Sequence, residues 1–367
     1  MKEKLQVYVG TFSTNFFSLK FDLDTLEAED LHAIHDPGGR SAYFAYDEDE
    51  KYLYIGNEWE RGDGGIAAFR LTDGDPVFLN AIPSNSQGPA HISTVKAYGK
   101  TFVLGAGYFE GDVMVCPTAE DGSLLPMTEY LKLVDISHVA DAGRAHGIKA
   151  IPGTNFVIVT DTINGQIFTF ELTEEGKLES RFIFDDPALR FPRHMTFSKD
   201  GAKMYLLTER GNSLEAFDIN RETGELTHFY SCSTLPDEFR ADSENMKEKY
   251  RTPDGRYLPP MASAIHRSPD GKFVYVTNRG HESVTTFRVD GEKIEKVGYT
   301  TDAVCWPREF MITPDGDYML LGNQIPFTVS VYKINHETGI PEYTGKQFSL
   351  PFGPGPVSFI SVPKTED

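Results

Sequence analysis

Three histidines, a set of arginines and several carboxylates stand at recurring places in this chain. His146 and His194 each lie seven residues before a turn glycine, Gly153 and Gly201, so they hold equivalent positions in neighbouring stretches of sequence. Arg144 and Arg193 stand beside them. His91 and Arg308-Glu309 open two further apolar runs, and Ser263 opens a third. Other runs end in Asn57-Glu58, Asp161, Glu209-Arg210, Asn278-Arg279 and Asn323-Gln324. A histidine near its ordinary pKa is the natural proton carrier at neutral pH. Arginines hold phosphate or carboxylate and steady a developing oxyanion. Glu209 is the best carboxylate for moving a proton, with Arg210 next to it and Arg193 and His194 on the paired run. The alternative is structural: each arginine pairs with a carboxylate of the next unit, such as Glu58, Asp161, Glu209 or Glu309, and joins the units. No spacing of His, Cys, Asp or Glu asks for a metal, since the conceivable ligands His91, His146, Asp161 and Glu209 do not come from one motif. There is no Gly-x-Ser-x-Gly and no glycine-rich phosphate loop.

The elements that carry these residues repeat. His266 to Asp290 reads as an apolar run, a Pro269-Asp270-Gly271 turn, a second run ending at Asn278-Arg279, and a third ending at Asp290. The same order returns at Arg193–Asn220 and Arg308–Asn335, with weaker copies at Tyr43–Leu71, His91–Pro117, His146–Leu172 and Val7–Leu23. Aligning on the end of the second run gives Thr11, Asn57, Ala106, Asp161, Glu209, Asn278 and Asn323. A period of about 45 to 50 residues with four strands per unit is the signature of a β-propeller. The sequence therefore predicts an all-β, seven-bladed propeller of four-stranded blades, a single domain over 1–367. The first copy lacks its first strand, and Pro356–Val362 is an orphan strand at the other end. Their union would close the ring and remove an open edge.

Strand direction then sorts the polar residues. The start of an inner strand and the end of the second strand lie on the same face of the disc, beside the axis. Arg144, Arg193, Arg210, Arg279 and Arg308 should converge there with His91, His146, His194 and the carboxylates. An insertion at about 236–260 should lie on the same rim as a partial lid, since a long loop in a compact fold is usually functional or disordered.

Composition limits the alternatives. A net charge of −20 argues against binding a phosphate backbone. No apolar stretch approaches a membrane span. The first residues enter a strand at once, which predicts no signal peptide and a cytoplasmic protein. Cys116, Cys232 and Cys305 are scattered, as expected of buried thiols in a reducing compartment.

These residues carry a resemblance. Tyr52–Glu58, Pro192–Phe197, Ser268–Gly280, Trp306–Phe310 and Gly322-Asn323-Gln324 are similar to the seven-bladed lactonase family, which holds the propeller-type 6-phosphogluconolactonases and the fungal carboxy-cis,cis-muconate cyclases. The likeness runs through the whole chain in order. It implies a cytoplasmic enzyme without a cofactor, acting on a small anionic lactone in carbohydrate metabolism, with the pentose phosphate route as the setting. Its implied catalytic residues are His146, Glu209, Arg193 and Arg279. Around them, His194, Arg144, Arg308, Asn57, Glu58, Asn323 and Gln324 are the expected substrate-binding residues. Arg144 stands where the family pattern has a histidine. The leading expectation is a hydrolase of a sugar-acid lactone, most plausibly 6-phosphogluconolactone. A lactone-forming cycloisomerase and a non-catalytic interaction scaffold are the alternatives. Neither nucleic acid nor membrane is expected as a partner, and a monomer or weak dimer is the expected state.

Overall fold

A computed structural model describes residues 4–11, 13–59, 64–137, 143–237, 239, 259–350 and 357–361. It contains seven antiparallel sheets of four strands each. Blade one takes Val357–Ser361 as its inner strand, followed outward by Lys4–Thr11, Asn15–Asp22 and Glu27–His35. The inner strands of blades two to seven are Ser41–Tyr46, His91–Ala97, Ala145–Ala150, Pro192–Phe197, Met261–Arg267 and Pro307–Ile312. Each lies against the inner strands on either side, and the last lies against Val357–Ser361, which closes the ring.

Burial explains the composition of the strands. Phe273–Arg279, the second strand of blade six, is buried at every position. Its β-branched and aromatic residues fit a pleated surface covered on both faces. Outermost strands such as Leu226–Ser233 are largely exposed or half-buried. The core consists of seams between blades. Leu207 and Leu214 of blade five pack with Val274, Val276 and Phe287 of blade six. At the closing seam, Val7, Val9 and Phe17 of blade one pack with Leu320, Val329 and Val331 of blade seven. The turns between first and second strands use left-handed glycines, among them Gly271 at φ 80° and Gly316 at φ 79°.

Register corrects the sequence alignment at two places. Asn57, Asp161, Asn278 and Asn323 pair with Ser41, Ala145, Ala262 and Pro307. In blade five the residue in that position is Thr208, paired with Pro192, and Glu209 lies one step beyond it. In blade three it is Gly107, opposite Asp112 at the start of the third strand, and Ala106 lies one step short. Glu209 is therefore equivalent to Arg279, Glu58 and Gln324 rather than to Asn278. The alignment missed this because Leu206-Leu207-Thr208 continues the apolar run without the polar residue that marks the strand end elsewhere.

The inner strands share a second feature. Their pairing slips at the same level in blades two, four, five, six and seven. One extra residue enters each strand there. Such bulges re-aim side chains. The residues at the slips include Tyr43, His146, Arg193, His194, Ser263, Arg308 and Glu309. The expected insertion at 236–260 falls mostly outside the described residues, as do Pro356 and Val362.

Deleting residues 356–367 should leave Tyr8–Thr11 without the strand they now pair with. The expected result is a thermal midpoint lower by more than about 5 °C, with concentration-dependent association through the opened edge. An unchanged midpoint in differential scanning calorimetry would mean that this strand does not close the ring.

Candidate functional site

The bulges put side chains from blades four to seven at one end of the axis. In blade four, Thr160 Oγ1 accepts the Gly147 N–H at 2.8 Å and donates to the Arg193 carbonyl at 2.7 Å. A Cβ at Gly147 would lie 2.3 Å from that carbonyl, so only glycine permits the approach. The contact fixes the Arg193 backbone against blade four. In blade six, Ser263 Oγ donates to the Arg308 carbonyl at 2.6 Å, and the Ser263 carbonyl accepts from Arg193 Nη1. Blades five, six and seven are thus tied together at the level of the site.

Arg193 keeps only 2% of its surface exposed. Its Nη1 also donates to His194 Nδ1 at 3.0 Å. Its Nε lies 3.8 Å from Glu209 Oε2 and has no hydrogen-bond partner among the described residues. Arg279 Nη2 donates to Glu209 Oε1 at 2.5 Å and to the Ala262 carbonyl at 3.3 Å, and Nε donates to the Met261 carbonyl at 3.3 Å. Glu209 thus pairs within its own blade and across to the next. The contact between Arg279 and Glu209, and that between Arg193 and the Ser263 carbonyl, join blades five and six.

Electrostatics follow from this packing. Burial pushes the Glu209 carboxyl up, but Arg193 and Arg279 outweigh it and hold the pKa down at about 2. Burial pushes the Arg193 guanidinium down to about 9, partly offset by Glu209, so it stays charged at neutral pH. Burial, and then Arg193, lower His146 to about 3, and His91 and His194 lie well below their ordinary value for the same reasons among others. This corrects the expectation of a histidine titrating near neutrality. His146 is a neutral imidazole, and its buried Nδ1 has no partner among the described residues.

An aromatic cluster surrounds it. The His146 ring meets His194 at 5.1 Å and Tyr108 at 5.1 Å. His194 meets His91 at 4.8 Å, and His91 meets Tyr43 at 4.2 Å. His91 Nδ1 accepts the Ile148 N–H at 3.3 Å, which leaves the ring proton on Nε2. Arg144 lies over the Tyr108 ring at 4.9 Å, and that ring in turn meets His146. Burial and Arg279 lower the Arg308 guanidinium, while Glu58, Glu209 and Glu309 pull it back up, which places Arg308 and Glu58 within the same field.

The remaining expected residues divide. The Gln324 Oε1 is buried and without a partner among the described residues. Asn57 and Asn323 are occupied in holding loops. Asn57 Nδ2 donates to Asp36 Oδ2 at 2.7 Å. Asn323 Nδ2 donates to the Ala303 carbonyl at 3.1 Å and its Oδ1 accepts the Cys305 N–H at 2.8 Å. Sequence reasoning missed Tyr43, Tyr108 and the Ser263 carbonyl. Tyrosine is too common in strands to stand out, and a backbone carbonyl has no signature in sequence. Arg210 is exposed and lies over Phe191 at 5.0 Å, away from the cluster. Among the described residues no group of three or more His, Cys, Asp or Glu is arranged to hold a metal ion, and no helix is long and apolar enough to cross a membrane.

The profile of the family described as "Lactonase, 7-bladed beta-propeller" matches residues 6–359. A 6-phosphogluconolactonase of Bacillus subtilis is 29% identical over 363 residues, covering 94% of this chain and 95% of its own. The structure of a periplasmic gluconolactonase of Pseudomonas aeruginosa superposes with a TM-score of 0.84 at 22% identity, covering 99% of both chains. A protein from Lactobacillus plantarum superposes with a TM-score of 0.81 at 20% identity, over 98% of this chain and 99% of its own. These two likenesses support the fold.

The buried histidines predict acid sensitivity. Their folded pKa values lie below the unfolded value of about 6.5, so the unfolded chain takes up protons that the folded chain refuses. Their stabilising effect is full above that pH and falls as pH drops below it, by up to about 1.4 kcal/mol per pH unit for each histidine. Glu209 adds a further loss only as pH falls from its unfolded value of about 4.5 toward 2. The thermal midpoint should fall steeply from pH 6.5 to 5, and less so in His194→Gln. A midpoint that is flat from pH 7 to 5 would contradict this electrostatic account.

Proposed function

This chain belongs to the seven-bladed β-propeller lactonase family, and on that premise we propose that it hydrolyses a small anionic sugar-acid lactone at the arginine-lined mouth. The leading substrate is 6-phosphogluconolactone. One observation carries the reading: a neutral, buried His146 stands beside a Glu209 carboxylate held between two buried arginines, in a protein of net charge −20. The name of the Bacillus subtilis relative supports the substrate class.

In this reading Arg308 and Arg144 meet the anionic group of the substrate. Arg193 and Arg279, set by Glu209, face the lactone carbonyl and stabilise the oxyanion that forms on it. His146 takes a proton from water as the water oxygen bonds to the carbonyl carbon. The ring C–O bond then breaks, and the ring oxygen receives that proton as it becomes a hydroxyl. The product carboxylic acid ionises and releases one proton to solvent. Glu209 remains ionised throughout, as its low pKa requires.

The bound anion has a further effect. Arg193 and Arg308 depress His146 in the empty site. An anion on these arginines offsets their charge and raises the imidazole pKa, which makes it a stronger base when substrate is present.

Lactone hydrolysis, measured against a spontaneous blank at each pH, should therefore show two different acid limbs. The kcat/KM profile reports the free enzyme and should be flat from pH 5 to 8, declining only toward about 3, where His146 protonates. The kcat profile should turn down at higher pH. His146→Ala should lose about 10²–10⁴-fold in kcat. Arg279→Lys should lose activity because a point charge cannot reproduce its set of donors. A kcat/KM limb at pH 6 to 7, or near wild-type turnover in folded His146→Ala, would sink the assignment. Cyclisation of an unsaturated dicarboxylate without any lactone hydrolysis would move the reading to a cycloisomerase.

A further inference from the structure

Arg279 has a second neighbour besides Glu209. The Trp306 ring lies 5.8 Å from its guanidinium carbon. Trp306 belongs to the connection that enters blade seven, yet its backbone N–H is accepted by Glu282 Oε2, from the turn after Arg279 in blade six. Glu282 Oε1 accepts the Gly280 N–H at 2.7 Å in that same turn. The Trp306 carbonyl accepts the Gln324 N–H at 3.0 Å. Both polar groups of the Trp306 backbone are therefore held, one from each adjoining blade.

The backbone there is strained. Trp306 has φ 51° and Glu282 has φ 55°, in the left-handed region that bulky residues avoid. Neither is glycine, so the conformation persists only because the surroundings impose it. Glu282 is the side chain that holds the Trp306 N–H in this conformation. Trp306 itself is buried, with 9% of its surface exposed.

We propose that Glu282 is a positioning residue for the mouth: by holding the Trp306 backbone it seats the indole on Arg279 and keeps that guanidinium aimed at Glu209. Chemically, Glu282 touches no substrate. It acts through Trp306, whose face stabilises the cation and keeps water from its outer side. Water reaching that side would compete for the donors of Arg279 and loosen the pair with Glu209. The kinetic part of this proposal rests on the lactone reading, and the spectroscopic part does not.

The chain has two tryptophans, so Trp59→Phe leaves Trp306 as the sole emitter. In that background Glu282→Ala should shift Trp306 emission to the red and lower kcat by up to about 10²-fold, with KM changed far less. Glu282→Gln keeps one acceptor oxygen and should fall between. Trp306→Leu, in the natural background, should reproduce the kinetic loss without touching Glu282. Should Glu282→Ala not fold, Glu282→Gln and Trp306→Leu decide the matter. Unchanged emission, or a lowered thermal midpoint with kcat and KM intact, would overturn the proposal and leave Glu282 a plain structural residue. If the parent Trp59→Phe protein hydrolyses no lactone but its emission still follows Glu282, the lactone reading fails and the coupling stands.

Discussion

A propeller blade has two apolar faces and can cover neither by itself. Val274 and Val276 are fully buried only because blade five lies against them, and Val329 and Val331 only because blade one does. This mutual cover is what forces a ring, since a stack of blades without closure leaves two apolar faces in water. The ring in turn crowds the inner strands around one axis. Whatever polar side chains these strands carry must share a small, poorly hydrated space.

Charges in such a space need partners close at hand. Arg193 and Arg279 have one carboxylate between them, Glu209, plus the carbonyls of Met261, Ala262 and Ser263. Within this triad two guanidiniums face one carboxylate, which leaves one positive charge unmatched by Glu209. Burial first, and then Arg193, depress the neighbouring His146 and His194. An anionic ligand would offset that charge, so the empty mouth carries an electrostatic cost that binding relieves.

Precision at the mouth comes from irregular backbone on a regular scaffold. The slips in the inner strands re-aim His146, Arg193 and Arg308 toward the axis, and buried threonines satisfy the N–H groups that the slips free. Thr160 does so for Gly147, and Thr277 for Ala264, at 2.9 Å. Held on strands rather than loops, these side chains have little room to wander. The exceptions are the connections between blades, where Asn323 and Glu282 fix the segment around Trp306 from both sides.

The sequence alone determined the all-β class, the seven repeats, the closure through Val357–Ser361, and the gathering of Arg193, Arg279 and Arg308 near His146 and Glu209. These follow from local pattern: apolar runs, turn residues such as Pro269-Asp270-Gly271, and the fixed direction of successive strands. Only the tertiary structure decided the rest. An extra residue at a bulge leaves the apolar pattern almost unchanged, so Glu209 was aligned with Asn278 when its true counterpart is Arg279. Asn57 and Asn323 read as mouth residues, but the Asn57 Nδ2 and both ends of the Asn323 amide are taken by loops that no local pattern connects to them. The His146 pKa depends most of all on burial and then on Arg193, and also on Arg308, which is 162 positions away in sequence by subtraction and close only once the ring is closed. Charge interactions act through space, and the sequence states only their order along the chain.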